Sequence, residues 1–308
     1  MSETDPTPAA DSSQYSLYYR HSGRAPAGAL VLALALGIVA AIPASIIYAA
    51  GDLYIPFIYI RFLLGFGLGA VLGIVPASVM RWGRVRNNTR VMLIVLLVAL
   101  TGYYFTWIAW YGVRYLRAGI DYPTYRLVIH PSFVGRLILF DNERGTWTMD
   151  SNSTPVSGPF LWIVWLCEAA LVLWAALTVA KKIGTKEPFC ETCGVWCGKP
   201  RVLGLSKSRD VTELRNQLES GQFAAAGPLQ ANPPSTVQWM AYLHHTCPTC
   251  GQLNTLTVNR ITVTMNRKKR AKRVTKTVID KLLLHPGEAE QLLTPPATIP
   301  AAPIELLK

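Results

Sequence analysis

Charged side chains are scarce in this sequence, and acidic ones are the scarcest. Only 16% of the 308 residues are charged, and 18 acidic residues stand against 30 basic ones, which gives a net charge of +12. Soluble domains carry about 25% charged residues, so this composition predicts that much of the chain lies in a membrane. In a membrane protein an excess of basic residues usually lies in cytosolic loops, so the charge alone does not indicate nucleic-acid binding.

Sequence motifs of common enzymes are also missing. The chain has no phosphate-binding glycine loop, no HExxH motif and no recognisable nucleophile triad, so no catalytic residue is assigned and no enzymatic activity is predicted. A secretory signal peptide is missing too, because the first apolar run follows a long polar leader and is itself too long for one. That leader, residues 1–24, is expected to be disordered.

What the sequence does contain is a set of four long apolar runs. Each is long enough to cross a hydrocarbon core of about 30 Å. They predict an α-helical membrane protein, with a four-helix transmembrane bundle in residues 25–182. The predicted spans are at about 25–49, 55–80, 91–113 and 160–180.

The second run carries small residues in a regular pattern. They follow Arg61 at intervals of four: Gly65, Gly69, Gly73 and Ala77. Small residues at this spacing form one stripe on a helix and let helices pack closely in lipid. The first run has a similar stripe, and a short turn at 51–54 connects the two. The first two spans are therefore expected to pack as an antiparallel hairpin.

Basic residues beside the runs set the predicted orientation. They cluster after the second run, at Arg81, Arg84, Arg86 and Arg90, and after the fourth, at Lys181 and Lys182. Short loops rich in Lys and Arg mark the cytosolic side. Both termini are therefore expected in the cytosol of a bacterial cell, with the spans in its inner membrane. The segment 115–158 is expected outside, with a short helix from Pro131 to Phe140.

Two charged residues lie inside the apolar runs, Arg61 in the second and Glu168 in the fourth. Charged side chains within a membrane usually face the bundle interior and pair with each other. At about 1.5 Å per residue both lie at a similar depth below the outer surface, so a contact is expected. Two interpretations stay open: a structural ion pair, or an ion or proton path in a small transporter or channel.

Cysteine is rare, with six residues, of which five follow the last apolar run. Cys190 and Cys193 form one CxxC pair, and Cys247 and Cys250 form another. A zinc ion takes four tetrahedral ligands, and each CxxC turn can bring two thiolates to it. In both pairs a glycine follows the second cysteine, which suits a tight turn. The pattern predicts one Zn²⁺ in the domain at 183–284; a dithiol redox pair is the alternative.

This arrangement of two CxxCG knuckles resembles the zinc-ribbon family. The resemblance covers only the knuckles and the strand-like stretches beside the second one, 236–244 and 253–265. It implies a small cytosolic α+β domain closed around a structural ion, without catalysis there. The knuckles are much farther apart than the roughly 15–20 residues of a compact ribbon, so a helix opening at Asp210 is interpreted as an insertion. A further strand is expected at 274–284 and a loose proline-rich tail at 285–308.

Whether Cys197, His244 or His245 also joins the metal site stays open, although the favoured interpretation gives them no such role. Cys197 is interpreted as a spare thiol, and His244 and His245 as exposed or half-packed residues at a strand end. A site closed by four cysteines needs none of them. Cys167, beside Glu168, is interpreted as a small core residue.

Basic residues also cluster between the last two strand-like stretches: Arg267, Lys268, Lys269, Arg270, Lys272 and Arg273. Each such residue near an anionic membrane surface contributes about 1 kcal/mol, so anionic lipid is one expected contact. Nucleic acid is ranked lower, because the domain is tethered to a membrane. A solvated hairpin tip is the third interpretation.

These features together predict a membrane-anchored adaptor. Four spans would hold a zinc-binding interaction module at the cytosolic face, where it binds a protein partner or, as the lower-ranked alternative, nucleic acid. A small transporter or channel that uses Arg61 and Glu168 is the alternative, and a thiol-redox membrane protein is the third. The identity of the partner and the oligomeric state, a homo-oligomer included, stay open.

Overall fold

The computed structural model describes residues 16–55, 58–146, 155–184, 187–233, 236–265, 271–285 and 287–288. Most of the expected N-terminal leader and of the expected tail lies outside these ranges. The chain divides into two compact units. The helical unit is Ser22–Lys186, and the sheet unit combines Met1–His21 with Glu187–Lys308.

Four long helices dominate the helical unit, and two short ones lie between the third and fourth. In chain order they are α1 (Ala27–Tyr54), α2 (Ile58–Trp82), α3 (Asn88–Arg117), α4 (Tyr125–Ile129), α5 (Pro131–Arg144) and α6 (Gly158–Ile183). Helices α1, α2, α3 and α6 are long and apolar enough to cross a membrane. This agrees with the four predicted spans and indicates a membrane protein.

The long helices pack so that α1 and α6 each contact both α2 and α3. The approach of α2 to α6 depends on two glycines. A Cβ atom added at Gly69 would lie 2.4 Å from the carbonyl oxygen of Val172, and one at Gly73 would lie 2.4 Å from that of Ala176. No side chain fits at such distances, so the small-residue stripe of α2 packs directly on the backbone of α6.

The two small-residue stripes do not face each other. Helix α1 does pack on α2, but its own stripe faces α3. A Cβ atom at Gly37 would lie 2.7 Å from Val98 Cγ2, and the Ser45 hydroxyl donates a hydrogen bond of 3.0 Å to the Gly102 carbonyl. The stripe of α1 thus packs on α3, and the stripe of α2 packs on α6.

The connection after the first span also differs from the expected turn at 51–54. Those residues form the last turn of α1, where Ile55 N donates a 3.0 Å bond to the Gly51 carbonyl. A Cβ atom at Gly51 would lie 2.4 Å from Leu64 Cδ1, so the missing side chain lets α2 approach the end of α1. Asp52 therefore lies on a helix rather than in an exposed loop.

Helix α5, which begins at Pro131 as predicted, is held against the last turns of α3. Val134 and Leu127 are buried against Tyr111 in a small apolar cluster. Asp141 is buried as well, and it accepts hydrogen bonds from the Tyr111 hydroxyl at 2.9 Å and from Arg114 Nη1 at 3.0 Å. These contacts fix the position of α5 on the bundle.

The sheet unit contains a two-stranded hairpin and a four-stranded antiparallel sheet. The hairpin pairs β1 (Phe189–Cys190) with β2 (Val195–Trp196), and the sheet has the order β3 (Arg201–Lys207), β4 (Gln238–Thr246), β5 (Asn254–Met265) and β6 (Ala271–Leu284). Strand β3 was not predicted. Its pairing with β4 shifts register between Val202 and Gly204, which interrupts the alternation that would reveal a strand.

One face of the sheet is covered by α7 (Val211–Glu219) and a short 3-10 helix at Phe223–Ala226. Leu214 and Leu218 of α7 are buried against the sheet, in one apolar cluster with Tyr242. Asp210 caps α7 by accepting bonds from the backbone N–H groups of Thr212 and Glu213, both 2.9 Å. The helix predicted to open at Asp210 is therefore present.

Residues 16–21 lie beside β6, in contrast to the disordered leader expected there. Tyr18 forms an antiparallel bridge with Leu282, and Tyr19 N donates a 2.9 Å hydrogen bond to the Lys281 carbonyl. The segment satisfies backbone groups at an edge strand that would otherwise need water or another chain.

Candidate functional site

The first pair of cysteines lies on the hairpin of β1 and β2. Cys190 ends β1 opposite Val195, and Cys193 follows in the turn. Gly194 N donates a 2.8 Å hydrogen bond to the Cys190 carbonyl, and Gly194 has a φ angle of 67°. Glycine adopts this left-handed conformation without a steric cost, which explains why it follows the second cysteine.

The second pair repeats this geometry after β4. Gly251 N donates a 3.0 Å hydrogen bond to the Cys247 carbonyl, and Gly251 has a φ angle of 64°. Cys247 N donates a 2.9 Å bond to the Leu253 carbonyl, which closes the turn into β5. Because this turn joins the two inner strands of the sheet, the sheet fixes its position.

The two turns bring four thiols together. Their Sγ atoms all lie within 4.8 Å of one another: Cys190, Cys193, Cys247 and Cys250. The Sγ atoms of Cys190 and Cys250 are 3.8 Å apart. A tetrahedral ion with metal–sulfur bonds of about 2.3 Å would separate two sulfurs by roughly 3.8 Å. Number, type and spacing of the ligands therefore fit a metal ion, and the group could hold one.

Cys190, Cys193 and Cys247 do not ionise equally. Burial opposes ionisation of Cys247, but hydrogen bonds from the backbone at Cys250 and Thr249 outweigh it and lower the pKa of Cys247 to about 6. Burial raises the pKa of Cys190, and hydrogen bonding with Cys250 raises the pKa of Cys193 to about 12. Metal ligation requires thiolates, so binding of a cation would release the protons that Cys190 and Cys193 hold.

The other side chains considered as ligands lie outside this group. Cys197 is packed in the same apolar cluster, and burial raises its pKa to about 12, so it stays a thiol. The expectation of exposed or half-packed histidines is wrong, because His244 and His245 are only 4% and 8% exposed. They lie on β4, an inner strand, and burial lowers the pKa of both, which keeps them neutral.

Two residues that support the knuckles were missed by the sequence analysis. Asn254 donates a 2.7 Å hydrogen bond to the Gly251 carbonyl, and its Oδ1 lies 3.0 Å from His244 Nε2. The Tyr19 hydroxyl accepts a 2.9 Å bond from Phe189 N and donates one of 3.1 Å to the Phe189 carbonyl. Neither residue belongs to a motif; a tyrosine in a polar leader was the one available signal.

In the helical unit Arg61 meets Glu168, with 3.3 Å between Nη2 and Oε2. It also meets Asp52, with 3.0 Å between Nε and Oδ1. The side chains of Glu168 and Asp52 are 9% and 11% exposed. One guanidinium therefore bridges carboxylates on α6 and α1, and it does so because α1 extends past residue 52.

Cys167 was interpreted as a core residue, which is wrong. It is exposed on the surface of α6, whereas its neighbour Glu168 is buried. Successive residues of a helix point in directions about 100° apart, so only one of the two can face the interior.

The basic cluster is only partly described. Lys272 and Arg273 lie exposed at the start of β6, opposite Thr264 and Val263 of β5. The remaining members lie outside the described residues: Arg267, Lys268, Lys269 and Arg270. The interpretation of this cluster as a lipid or nucleic-acid contact stays a prediction.

Comparisons with protein-family models, with curated proteins and with solved structures give no match for this chain. Its class therefore follows from fold and site alone. It combines a bundle of helices able to cross a membrane with a sheet unit in which four cysteines could hold a metal ion.

Proposed function

We propose that the protein is a membrane-anchored adaptor whose zinc-stabilised sheet unit binds a protein partner at the cytosolic face. The observation that carries the proposal is the group of four thiols on two turns of the same geometry. Four cysteine ligands favour Zn²⁺ over the harder ions that prefer oxygen. They also close the coordination shell, which suits a structural role rather than catalysis.

The ion would hold the β1–β2 hairpin onto the sheet. Each strand of this hairpin has two residues, and an isolated two-stranded hairpin is at best marginally stable. Cysteines from both the hairpin and the β4–β5 turn would share one ion, so metal-binding energy would become folding energy for this part of the unit. The role of the unit is then to present a binding surface.

Metal analysis of the full-length protein tests the zinc site. We expect one zinc per chain in the wild type and none in the variant Cys247→Ser with Cys250→Ser. Cys197→Ser is the matched control, since Cys197 is packed in the same cluster but lies outside the four-thiol group; it should keep the zinc. Loss of zinc from the control, or full zinc in the double variant, would contradict the assignment.

Crosslinking in cells tests the adaptor role. A photo-crosslinking residue at the exposed Lys207 position on β3 reports partners of the sheet unit. The wild type and Cys197→Ser should give the same protein adduct, and the double cysteine variant should lose it. An adduct that persists in the zinc-free variant would show that the metal-stabilised fold is not what the partner recognises.

The N-terminal segment supports the proposed orientation. Residues 16–21 precede α1 yet pair with β6, which follows α6. Segments before the first span and after the fourth would therefore share one side of the membrane. Basic residues at the end of α2 and at Lys181 and Lys182 favour the cytosol as that side. A bacterial inner membrane is the location that we propose.

An impermeant thiol reagent tests this orientation in a background with Cys167→Ser and Cys197→Ser. Glu143→Cys, exposed on α5, should react in intact cells. Lys207→Cys, exposed on β3, should react only after lysis. The opposite pattern would place the sheet unit outside and would remove the reducing environment that keeps its cysteines available to metal.

Transport is the second candidate function, and one observation favours it. Arg61 contacts two carboxylates inside the bundle, and with all three ionised their sum, +1 −1 −1, is −1. Buried charged groups within spans commonly mark ion or proton pathways.

A further inference from the structure

A groove of about 500 Å³ lies between α3, α5 and α6, within the helical unit. Arg61 and the four clustered cysteines are not among its lining residues. Helices α3 and α6 cross the membrane in our proposal. Helix α5 packs alongside the last turns of α3 and the first turns of α6, so the groove lies in the outer half of the bundle in that proposal.

Aromatic rings form two of its walls. They are Tyr103 and Trp107 of α3, with Trp162 and Trp165 of α6. Trp165 packs edge to face on Trp107 and on Trp162, with ring centroids 5.0 and 5.3 Å apart. The Tyr103 hydroxyl is already used, because it donates a 3.2 Å bond to the Trp165 carbonyl. These walls therefore present an ordered apolar surface to an occupant.

Helix α5 supplies the third wall and the charged residue of the groove. A Cβ atom at Gly135 would meet nothing within 4 Å, so the groove is open there. Arg136 follows it, is exposed, and pairs with none of the carboxylates that the structure describes. One wall of a mostly apolar groove thus carries a guanidinium that pairs with no carboxylate among the described residues.

The groove opens toward the hydrocarbon side of the bundle. Leu139 and Leu166 line it and are 54% and 64% exposed, which in a bilayer means contact with lipid. At about 1.5 Å per residue from Gly158, the start of α6, its lining runs from roughly 6 Å at Trp162 to roughly 16 Å at Ala169 along the helix. That span of about 10 Å is roughly a third of a hydrocarbon core of about 30 Å, and so falls within one leaflet.

We propose that this groove binds one acyl chain of an anionic phospholipid from the leaflet around α5, with the lipid phosphate at Arg136. The occupant follows from charge and shape. Aromatic and aliphatic walls accept a hydrocarbon chain, and a guanidinium makes strong paired hydrogen bonds with phosphate. A lipid with net negative charge offers both an acyl chain for the walls and a phosphate for Arg136, and its charge favours a position beside a basic residue.

Native mass spectrometry of the full-length protein tests the headgroup. The protein is reconstituted with phosphatidylglycerol and phosphatidylcholine of the same acyl chains, and retained lipids are counted after transfer to mild detergent. The wild type should retain one phosphatidylglycerol in preference to phosphatidylcholine. Arg136→Gln should reduce that preference about fivefold. Arg126→Gln, at an exposed arginine of α4, should leave it unchanged; equal retention of the two lipids by the wild type would overturn the proposal.

Filling the groove with a larger side chain tests whether the acyl chain of the lipid binds there. Gly135→Leu should abolish retention, whereas Gly67→Leu on α2, where a Cβ atom also meets nothing within 4 Å, should not. Melting temperatures show whether each variant is folded. If Gly135→Leu does not fold, Ala169→Leu fills the groove from α6 instead. A folded, filled variant that retains lipid like the wild type would place the lipid elsewhere and overturn the proposal.

Discussion

The helical unit and the sheet unit balance their buried ionisable groups in different ways. In the helical unit Arg61 brings a positive charge to Asp52 and Glu168 within 3.0 and 3.3 Å. In the sheet unit the four clustered cysteines are all acids, and they can ionise together only beside a cation. The first group is balanced largely by the chain itself, whereas the second needs a ligand.

The two units also differ in how closely their own elements pack. Helices α2 and α6 meet backbone to backbone at Gly69 and Gly73, and such close contact drives helix association in lipid. The β1–β2 hairpin pairs over only two positions, Phe189 with Trp196 and Cys190 with Val195. The bundle should therefore be stable through its own contacts, and the knuckles should depend on the ion.

Removal of metal should have the largest effect, and it should affect one unit only. Structural zinc sites contribute apparent binding energies of about 10–16 kcal/mol, which is folding energy for the part they hold together. We expect an excess of a strong chelator to expose the backbone amides of 189–197 and 247–254 in the full-length protein. Hydrogen exchange with mass spectrometry measures this, and α2 and α6 should keep their protection. Equal loss of protection in both units would contradict the comparison.

Much of the fold could be predicted because the signals for it are local. Apolar runs long enough for spans, the capping residue Asp210 and the two CxxCG turns each act through neighbours in sequence. The end of α1 could not be predicted in this way. A Gly-Asp pair is typical of a turn, but Gly51 and Asp52 lie in the last turn of α1, where the missing side chain of Gly51 leaves room for Leu64 of α2.

The candidate sites show the same division. The four thiols and the contact of Arg61 with Glu168 follow from residue type and spacing, whereas Asp52 joins Arg61 only because α1 extends through it. Tyr19 reaches the first knuckle from far away in sequence. His244 lies on an inner strand because β3, which the sequence did not reveal, pairs with β4. Each of these depends on a long-range contact that no local pattern encodes.

Loss of Arg61 should have the next largest effect, in the helical unit. Arg61→Met leaves Asp52 and Glu168 together without a cation, and breaking a buried ion pair costs about 3–5 kcal/mol. Uptake of a proton by one carboxylate lessens this cost. Glu168→Gln should cost less than about 1.5 kcal/mol, since Arg61 keeps Asp52 and the new amide oxygen can still accept a hydrogen bond. The free energy of unfolding in detergent measures both.

The fully neutral variant, Asp52→Asn with Arg61→Met and Glu168→Gln, is the control. Its stability should largely return, as it often does when a buried ionic group is replaced whole. A stable neutral variant that keeps its cellular role indicates a structural bridge, and one that loses it favours transport. If Arg61→Met is as stable as the wild type, the contacts of Arg61 with Asp52 and Glu168 do not contribute to stability. The charges of the helical unit are then not balanced by Arg61.

Tyr19→Phe should have the smallest effect, and it examines how far the sheet unit supports its own metal site. The change removes the acceptor for Phe189 N, one residue before Cys190. A net loss of about 1 kcal/mol corresponds to roughly fivefold weaker zinc binding. Competition with a chelator of known affinity measures this on the full-length protein.

Tyr18→Phe is the control for Tyr19→Phe. It distinguishes the loss of the Tyr19 hydrogen bond to Phe189 from a general loosening of residues 16–21. The Tyr18 hydroxyl donates to Glu219 on α7, so its loss loosens the same segment without touching β1. We expect Tyr18→Phe to lower the melting temperature of the sheet unit while zinc affinity stays within twofold of the wild type. If both variants weaken zinc binding equally, residues 16–21 support the first CxxC turn only indirectly, through their pairing with the edge of β6. If neither variant weakens zinc binding, the ion alone holds the β1–β2 hairpin. The sheet unit then depends on its ligand even more than the hydrogen bonds of Tyr19 imply.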